Sequence, residues 1–314
     1  MKIKKLLPTV IGFIVIIIVW NRIDQQAILN LMKESDYTIL STAMAICLVN
    51  FFISALRWRL ILDQMGSSVR LWRLIQYLFE SVAVNLLIPS GIGGELSKAI
   101  RVNNETSNLG SSYASVATDK IIALSAFVTI VALGVLLEWY PAKEFDIVFP
   151  LLLSVMILAI VSLFFYSAAG NACLTFVIKK MPKIMNVFEA ITLNMQLSKK
   201  KPLLFIKIYL LAILGLVIQV TSTWAVGLAI GIEISFWFYF ILVPLIGLLT
   251  AIPISNSGIG IREGLFVIAF SYSDVAEEPA FALSIIWTLL AIIIPGIIGA
   301  VCLIISTRNR PIEN

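Results

Sequence analysis

The sequence predicts an all-α polytopic membrane protein built as an inverted-topology repeat, with about six full spans and two broken or re-entrant helical hairpins. Three observations carry that prediction. Of 314 residues, 60% are hydrophobic and 13% charged, against about 25% charged in a soluble domain. Apolar runs long enough to cross a hydrocarbon core of about 30 Å recur along the chain. Two stretches interrupt them in nearly the same words: "PSGIGGELSKAIR" (Pro89–Arg101) and "PISNSGIGIREG" (Pro253–Gly264), each with Ser-Gly-Ile-Gly shortly after a proline and an acid and a base close by.

The elements follow in order. Lys2, Lys4 and Lys5 precede an apolar run, Leu6–Trp20, that has the start of a signal peptide. No small-x-small cleavage site follows it, so a retained first span is expected. In "RIDQQAILNLMKES" Ile23, Ala27 and Leu31 share one helical face, the pattern of an amphipathic linker. A second span, Tyr37–Leu56, a broken hairpin over 72–101 and a third span, Ser112–Leu137, complete a first repeat, 1–140. The second repeat, 141–314, repeats the plan. It has a span over Ile147–Ala168, an amphipathic linker carrying Ile184, Val187, Phe188, Ile191 and Met195, a span over Leu203–Gly231, a hairpin over 234–272 and a last span, Phe281–Ser306.

Charge assigns the sides. Basic residues gather at the amino end, at Arg57, Arg59, Arg70 and Arg73, at Lys179, Lys180, Lys183 and Lys199–Lys201, and at Arg308 and Arg310. The other loops are acidic: Asp24, Glu34 and Asp36; Glu138, Glu144 and Asp146; Asp274, Glu277 and Glu278. The positive-inside rule puts the basic groups and both termini of this multi-pass protein in the cytoplasm. The first hairpin then enters and leaves from inside and the second from outside, which gives the two halves opposite orientations.

Several chemistries are excluded or unsupported. The chain has no histidine, so a His-based triad or imidazole-ligated zinc is ruled out. Cys47, Cys173 and Cys302 lie far apart in or beside apolar segments and read as small hydrophobes. Gly91-x-Gly93 and Gly258-x-Gly260 lack the third glycine of a dinucleotide fingerprint, and no Walker A sequence occurs. No cofactor is expected. The net charge of +5 follows from loop orientation, so nucleic acid is not an expected partner.

The breaks are where function is expected. Pro89 and Pro253 end their helices, and the glycines beyond them permit turns and close backbone approach. Irregular backbone at membrane depth survives only in protein or along an aqueous cavity. New helices beginning at Gly93–Glu95 and Gly258–Ile261 would point N–H groups and positive dipole ends inward, where they suit an anion. Ionisable groups at bilayer depth cost about 2.5–3.5 kcal/mol each, so they must be paired or hydrated. The candidate substrate-binding residues are Asn85, Ser90, Gly93, Gly94, Glu95 and Arg101 at the first break, Asp119 and Lys120 on the third span, and Asn256, Ser257, Gly258, Gly260, Arg262 and Glu263 at the second. Expected pairings are Arg101 or Arg262 with Glu95, Asp119 or Glu263, and Arg262, Lys120 and Arg101 are expected to meet an anionic headgroup. Arg57-Trp58-Arg59 reads as a snorkelling, aromatic-belt anchor.

These residues also carry a resemblance. Asn85-Leu-Leu-Ile-Pro89, Gly93-Gly94-Glu95 with Arg101, Asp119-Lys120 and Ser257-Gly258-Ile259-Gly260-Ile261-Arg262-Glu263-Gly264 resemble the flippase-like membrane domain of lysylphosphatidylglycerol synthases, over nearly the whole chain. The resemblance implies an integral protein of the cell membrane whose domain moves an aminoacylated lipid across the bilayer, lysine being attached by a separate soluble domain. The 314 residues leave no room for that domain, so the chain is expected to be a stand-alone, non-enzymatic member. Where the family often has arginine, this chain has Lys120, which keeps the charge and loses the bidentate fork.

The function expected is movement of a polar or anionic lipid headgroup, from a phospholipid or a lipid-linked sugar, through a cavity between the hairpins. Two alternatives stand beside it. One is an accessory subunit of a lipid or glycolipid synthesis complex, partnering a lipid-modifying enzyme or glycosyltransferase. The other is a membrane enzyme on a lipid-linked substrate, with Glu95, Asp119 or Glu263 as acid or base.

Overall fold

The computed structural model describes residue 12 and residues 14–87, 93–136, 201–251, 255 and 258–308. Every regular element among the described residues is helical. The expected span Ile147–Ala168 and its linker lie outside the described residues, as do Ser90, Asn256, Ser257 and both break prolines.

A short helix α1 (Ile14–Trp20) turns by 88° into α2 (Gln25–Glu34). Asp24 makes this corner. Its carboxylate accepts the N–H groups of Gln26 (2.8 Å) and Ala27 (3.3 Å), which have no partner within the first helical turn. The linker's apolar face packs inward as its pattern predicts, with Ile23 and Ile28 buried and Ala27 half-buried. Asp36 repeats the device for α3 (Tyr37–Gln64), accepting from Thr38 (2.8 Å) and Ile39 (3.1 Å).

Among the described residues, four helices are long and apolar enough to cross a membrane: α3, α6 (Leu109–Leu136), α7 (Pro202–Ala229) and a continuous helical run over Glu277–Ser306. Of the expected first span, Leu6–Trp20, only residue 12 and α1 are among the described residues; α1 and α2 pass the same standard as one bent pair. The second span runs two turns past the expected Leu56. Arg57 does not snorkel: it is buried, and its charge is answered within the protein by Asp119, so nothing there requires the helix to stop. The last run comprises α10 (Glu277–Thr288), a π-helical turn (Leu289–Ile293) and α11 (Ile294–Arg308). Pro295 follows the π turn and removes a backbone donor; a widened turn also makes room for its ring.

Two pairs of shorter helices flank the breaks, α4 (Leu71–Leu87) with α5 (Gly93–Thr106), and α8 (Phe236–Ala251) with α9 (Ile261–Ser271). At 14, 16 and 11 residues, α5, α8 and α9 are shorter than the ~20 that a full crossing takes. The most extensive packing joins α3 to α7, α4 to α11, and α6 to α8. Small residues let these helices close. A Cβ on Gly299 would overlap the Phe79 carbonyl, and one on Gly247 would lie 2.8 Å from the Phe127 ring. Side chains such as Ile297, Val301, Ile304 and Ile305 point outward from the bundle, as expected of a surface that meets lipid.

Candidate functional site

The two breaks converge on one partly open cavity of about 340 Å³. It is lined by Val82 and Asn85 of α4, Glu95 of α5, and Lys120, Ala123, Leu124 and Phe127 of α6. Gln219 of α7, Gly247, Thr250 and Ala251 of α8, Ser255 and Gly258 of the second break, and Ala291 and Ile292 of the π turn complete the lining. Its walls mix apolar side chains with the polar groups of Asn85, Glu95, Lys120, Gln219, Thr250 and Ser255, a composition that suits a small polar moiety.

At the first break, Asn85 holds the start of α5 against α4. Its Oδ1 accepts the Gly94 N–H at 2.7 Å, and a Cβ on Gly94 would overlap the Ser81 carbonyl. Only glycine allows that approach. One turn on, Glu95 reaches two ammonium groups: Lys98 Nζ at 2.5 Å and Lys120 Nζ at 3.8 Å. Lys98 is buried, with its ammonium 5.5 Å from the Trp58 ring centroid, and Trp58 Nε1 donates to Ser115 at 3.1 Å. Lys120 is the open member of the trio, its side chain 52% exposed.

At the second break the backbone is bent by Gly258 (φ 76°) and Gly260 (φ 88°), in the left-handed region that side chains resist. Gly260 caps α9, and its N–H donates to Glu263 Oε2 at 2.5 Å. The other carboxylate oxygen accepts from Thr288 at 3.1 Å. Arg262 lies 3.6 Å from Glu263 and stacks 5.0 Å from the centroid of Trp287. Gly12 and Val15 pack against this corner: a Cβ on Gly260 would overlap the Gly12 carbonyl, and one on Gly264 would lie 3.3 Å from Val15.

Asn85, Glu95, Lys120 and Gly258 therefore meet in the cavity. Gly93 and Gly94 form the start of α5 beside it. Arg101, Asp119, Gly260, Arg262 and Glu263 are not among its lining residues. The expected charge pairings are corrected accordingly. Arg101 pairs with Glu80 at 2.7 Å, under a Gln76 bond to the same carboxylate, and donates to Ser306 of α11 at 2.8 Å. Asp119 pairs with Arg57 at 2.7 Å. Asp119 and Lys120 are adjacent, so they point about 100° apart on a helix, one into α3 and one into the cavity. Arg262 keeps its neighbour Glu263, as expected, but is buried beside Trp287.

Sequence reasoning missed Gln219, Thr250, Ser255 and the π turn. Gln219 had a usable signal, since an amide inside a 28-residue apolar helix is costly unless it serves a cavity or a packed interface. The hydroxyl of Ser255 is buried and has no hydrogen-bond partner among the described residues. No group of three Cys, Asp or Glu residues that could hold a metal occurs among the described residues.

Comparison with known proteins agrees with the architecture. Residues 6–299 match the family model described as the lysylphosphatidylglycerol synthase TM region. The chain is also 22% identical over 332 aligned positions to a UPF0104 membrane protein of Methanocaldococcus jannaschii, covering 98% of this chain and 96% of that protein.

Proposed function

Because this chain belongs to the lysylphosphatidylglycerol synthase transmembrane family, we propose that it is a lipid flippase of the cell membrane, moving a polar or anionic headgroup through the cavity between its two breaks. The observation that carries the reading is the convergence of Asn85, Glu95, Lys120, Gln219 and Ser255 on one cavity inside an apolar bundle. Polar groups at such depth are expensive and mark a substrate path by default.

The architecture supports the same reading. α4 of the first half packs on α11 of the second, and α8 of the second on α6 of the first. This reciprocal arrangement suits two inverted repeats, 1–140 and 141–314, that rock about a shared site. The short α5, α8 and α9 suit hairpins that re-enter rather than cross. The headgroup enters between the breaks while its tails stay in lipid.

The test is a proteoliposome assay in which a fluorescent phospholipid is quenched from one side, comparing the unaltered protein with Ala123→Trp, which fills the cavity from α6. The unaltered protein is expected to bring most of the protected lipid to the accessible side. The tryptophan variant should slow this about tenfold or more, the scale of ~1.4 kcal/mol. No movement of any phospholipid by the unaltered protein would sink the reading.

A further inference from the structure

The charge inventory of the cavity narrows what it takes. Among the described residues, its lining carries one carboxylate, Glu95, and one ammonium, Lys120. Glu95 is already answered from behind by buried Lys98, at 2.5 Å against 3.8 Å for Lys120. Attraction falls with distance, so the Lys98 contact dominates. One carboxylate shared by two ammonium groups leaves one positive charge in excess, and it sits on the more exposed of the two.

A second observation points the same way. Ser255 presents a buried hydroxyl without a partner among the described residues, and a buried donor left unmade is costly. Lys120 and Ser255 line the same cavity. An ammonium and a hydroxyl donor in one cavity suit an oxyanion. At ~30 Å³ per water, a cavity of about 340 Å³ holds about eleven waters. That accommodates a phosphate with a small polyol.

We infer that the cavity is a phosphate site selective for headgroups of net negative charge, with Lys120 as the ligand's counter-ion and Ser255 as a hydrogen-bond donor to it. This rests on the flippase reading for the lipid as its source. It departs from that reading in one respect: a headgroup with surplus ammonium, such as that of lysylphosphatidylglycerol, is disfavoured, because its extra charge would face Lys120 with no unanswered acid among the described lining.

The experiment uses the full-length protein in two arms. In detergent, binding of phosphatidylglycerol, phosphatidylcholine, lysylphosphatidylglycerol, glycerol phosphate and inorganic phosphate is followed by intrinsic tryptophan fluorescence. In proteoliposomes, the three lipids are compared for transbilayer movement. Phosphatidylglycerol should bind at least about tenfold more tightly than lysylphosphatidylglycerol, the worth of one charge-assisted contact. Lys120→Gln should abolish that preference, Lys120→Arg should retain it, and Ser255→Ala should weaken phosphatidylglycerol binding several-fold. Both lysine variants should fold, since the side chain is half exposed.

The outcomes separate the two claims. Lys120-dependent binding of phosphatidylglycerol without movement upholds the phosphate site and overturns transport. Movement of all three lipids at equal rates, unchanged in Lys120→Gln, upholds transport and overturns the phosphate site. Glycerol phosphate or inorganic phosphate binding as tightly as phosphatidylglycerol upholds the phosphate site and makes a soluble phosphate its source.

Discussion

The two breaks share four residues of sequence and use their charges in opposite ways. At the first, Glu95 and Lys120 face the cavity, and the start of α5 is held by the neutral amide of Asn85. At the second, the acid is turned inward. Glu263 is 1% exposed and holds the Gly260 N–H, Thr288 and Arg262, while the residues offered to the cavity, Ser255 and Gly258, are neutral. The first break turns its charge toward the cavity, and the second keeps its charges within the protein and offers the cavity neutral groups. The two copies of the motif thus put their charges to different tasks.

The comparison predicts unequal sensitivity to substitution. The largest effect belongs to Glu263→Ala, which leaves Arg262 buried without its carboxylate and uncaps α9. Breaking a buried pair costs about 3–5 kcal/mol, so folded protein recovered in detergent should fall sharply. Recovery and melting temperature at unaltered levels would mean that the second break does not keep its charges within the protein.

Next in size is Gly260→Ala. A left-handed conformation costs a side chain about 1–2 kcal/mol, and here the added methyl also overlaps the Gly12 carbonyl. A fall in melting temperature corresponding to about 2 kcal/mol or more is expected. Faster proteolysis within the amino-terminal segment should accompany it, because that segment is what the methyl displaces.

Glu95→Gln should cost less than Glu263→Ala, about 1.5–2 kcal/mol, the worth of a hydrogen bond to a charged group, because Glu95 is partly exposed. Lys98 keeps its tryptophan, and the amide oxygen can still accept a hydrogen bond. Its effect should also appear in the ligand. Removing the cavity's only lining carboxylate among the described residues should tighten phosphatidylglycerol binding several-fold. If Glu95→Gln destabilises as much as Glu263→Ala, the contrast between the breaks collapses.

The legible part of this protein is the part that burial in lipid dictates locally. Hydropathy located α3, α6, α7 and the last run, because a helix facing hydrocarbon must be apolar over its whole length. Expense singled out Glu95 and Lys120, which both line the cavity, because charge at that depth needs a reason. What stayed hidden is long-range choice. Arg57 and Asp119 are 62 positions apart, and nothing local distinguishes a buried partner from a snorkelling anchor. Arg101 equally had several acids in range and took Glu80. Ser255 shows no expense at all, since a hydroxyl in a helical protein can return its proton to a nearby carbonyl, as Thr250 does to Ile246.

The π turn at Leu289–Ile293 sets the phase of everything after it. Such a turn amounts to one residue added to an α-helix, and one residue is a rotation of about 100°. Gly296 and Gly299 come after it, and both must face α4, where Leu86 and the Phe79 carbonyl leave no space for a side chain. Without the extra residue, the same sequence would turn bulkier neighbours onto that seam. The irregularity that puts Ala291 and Ile292 on the cavity wall is therefore also what lets the last helix close against the first hairpin.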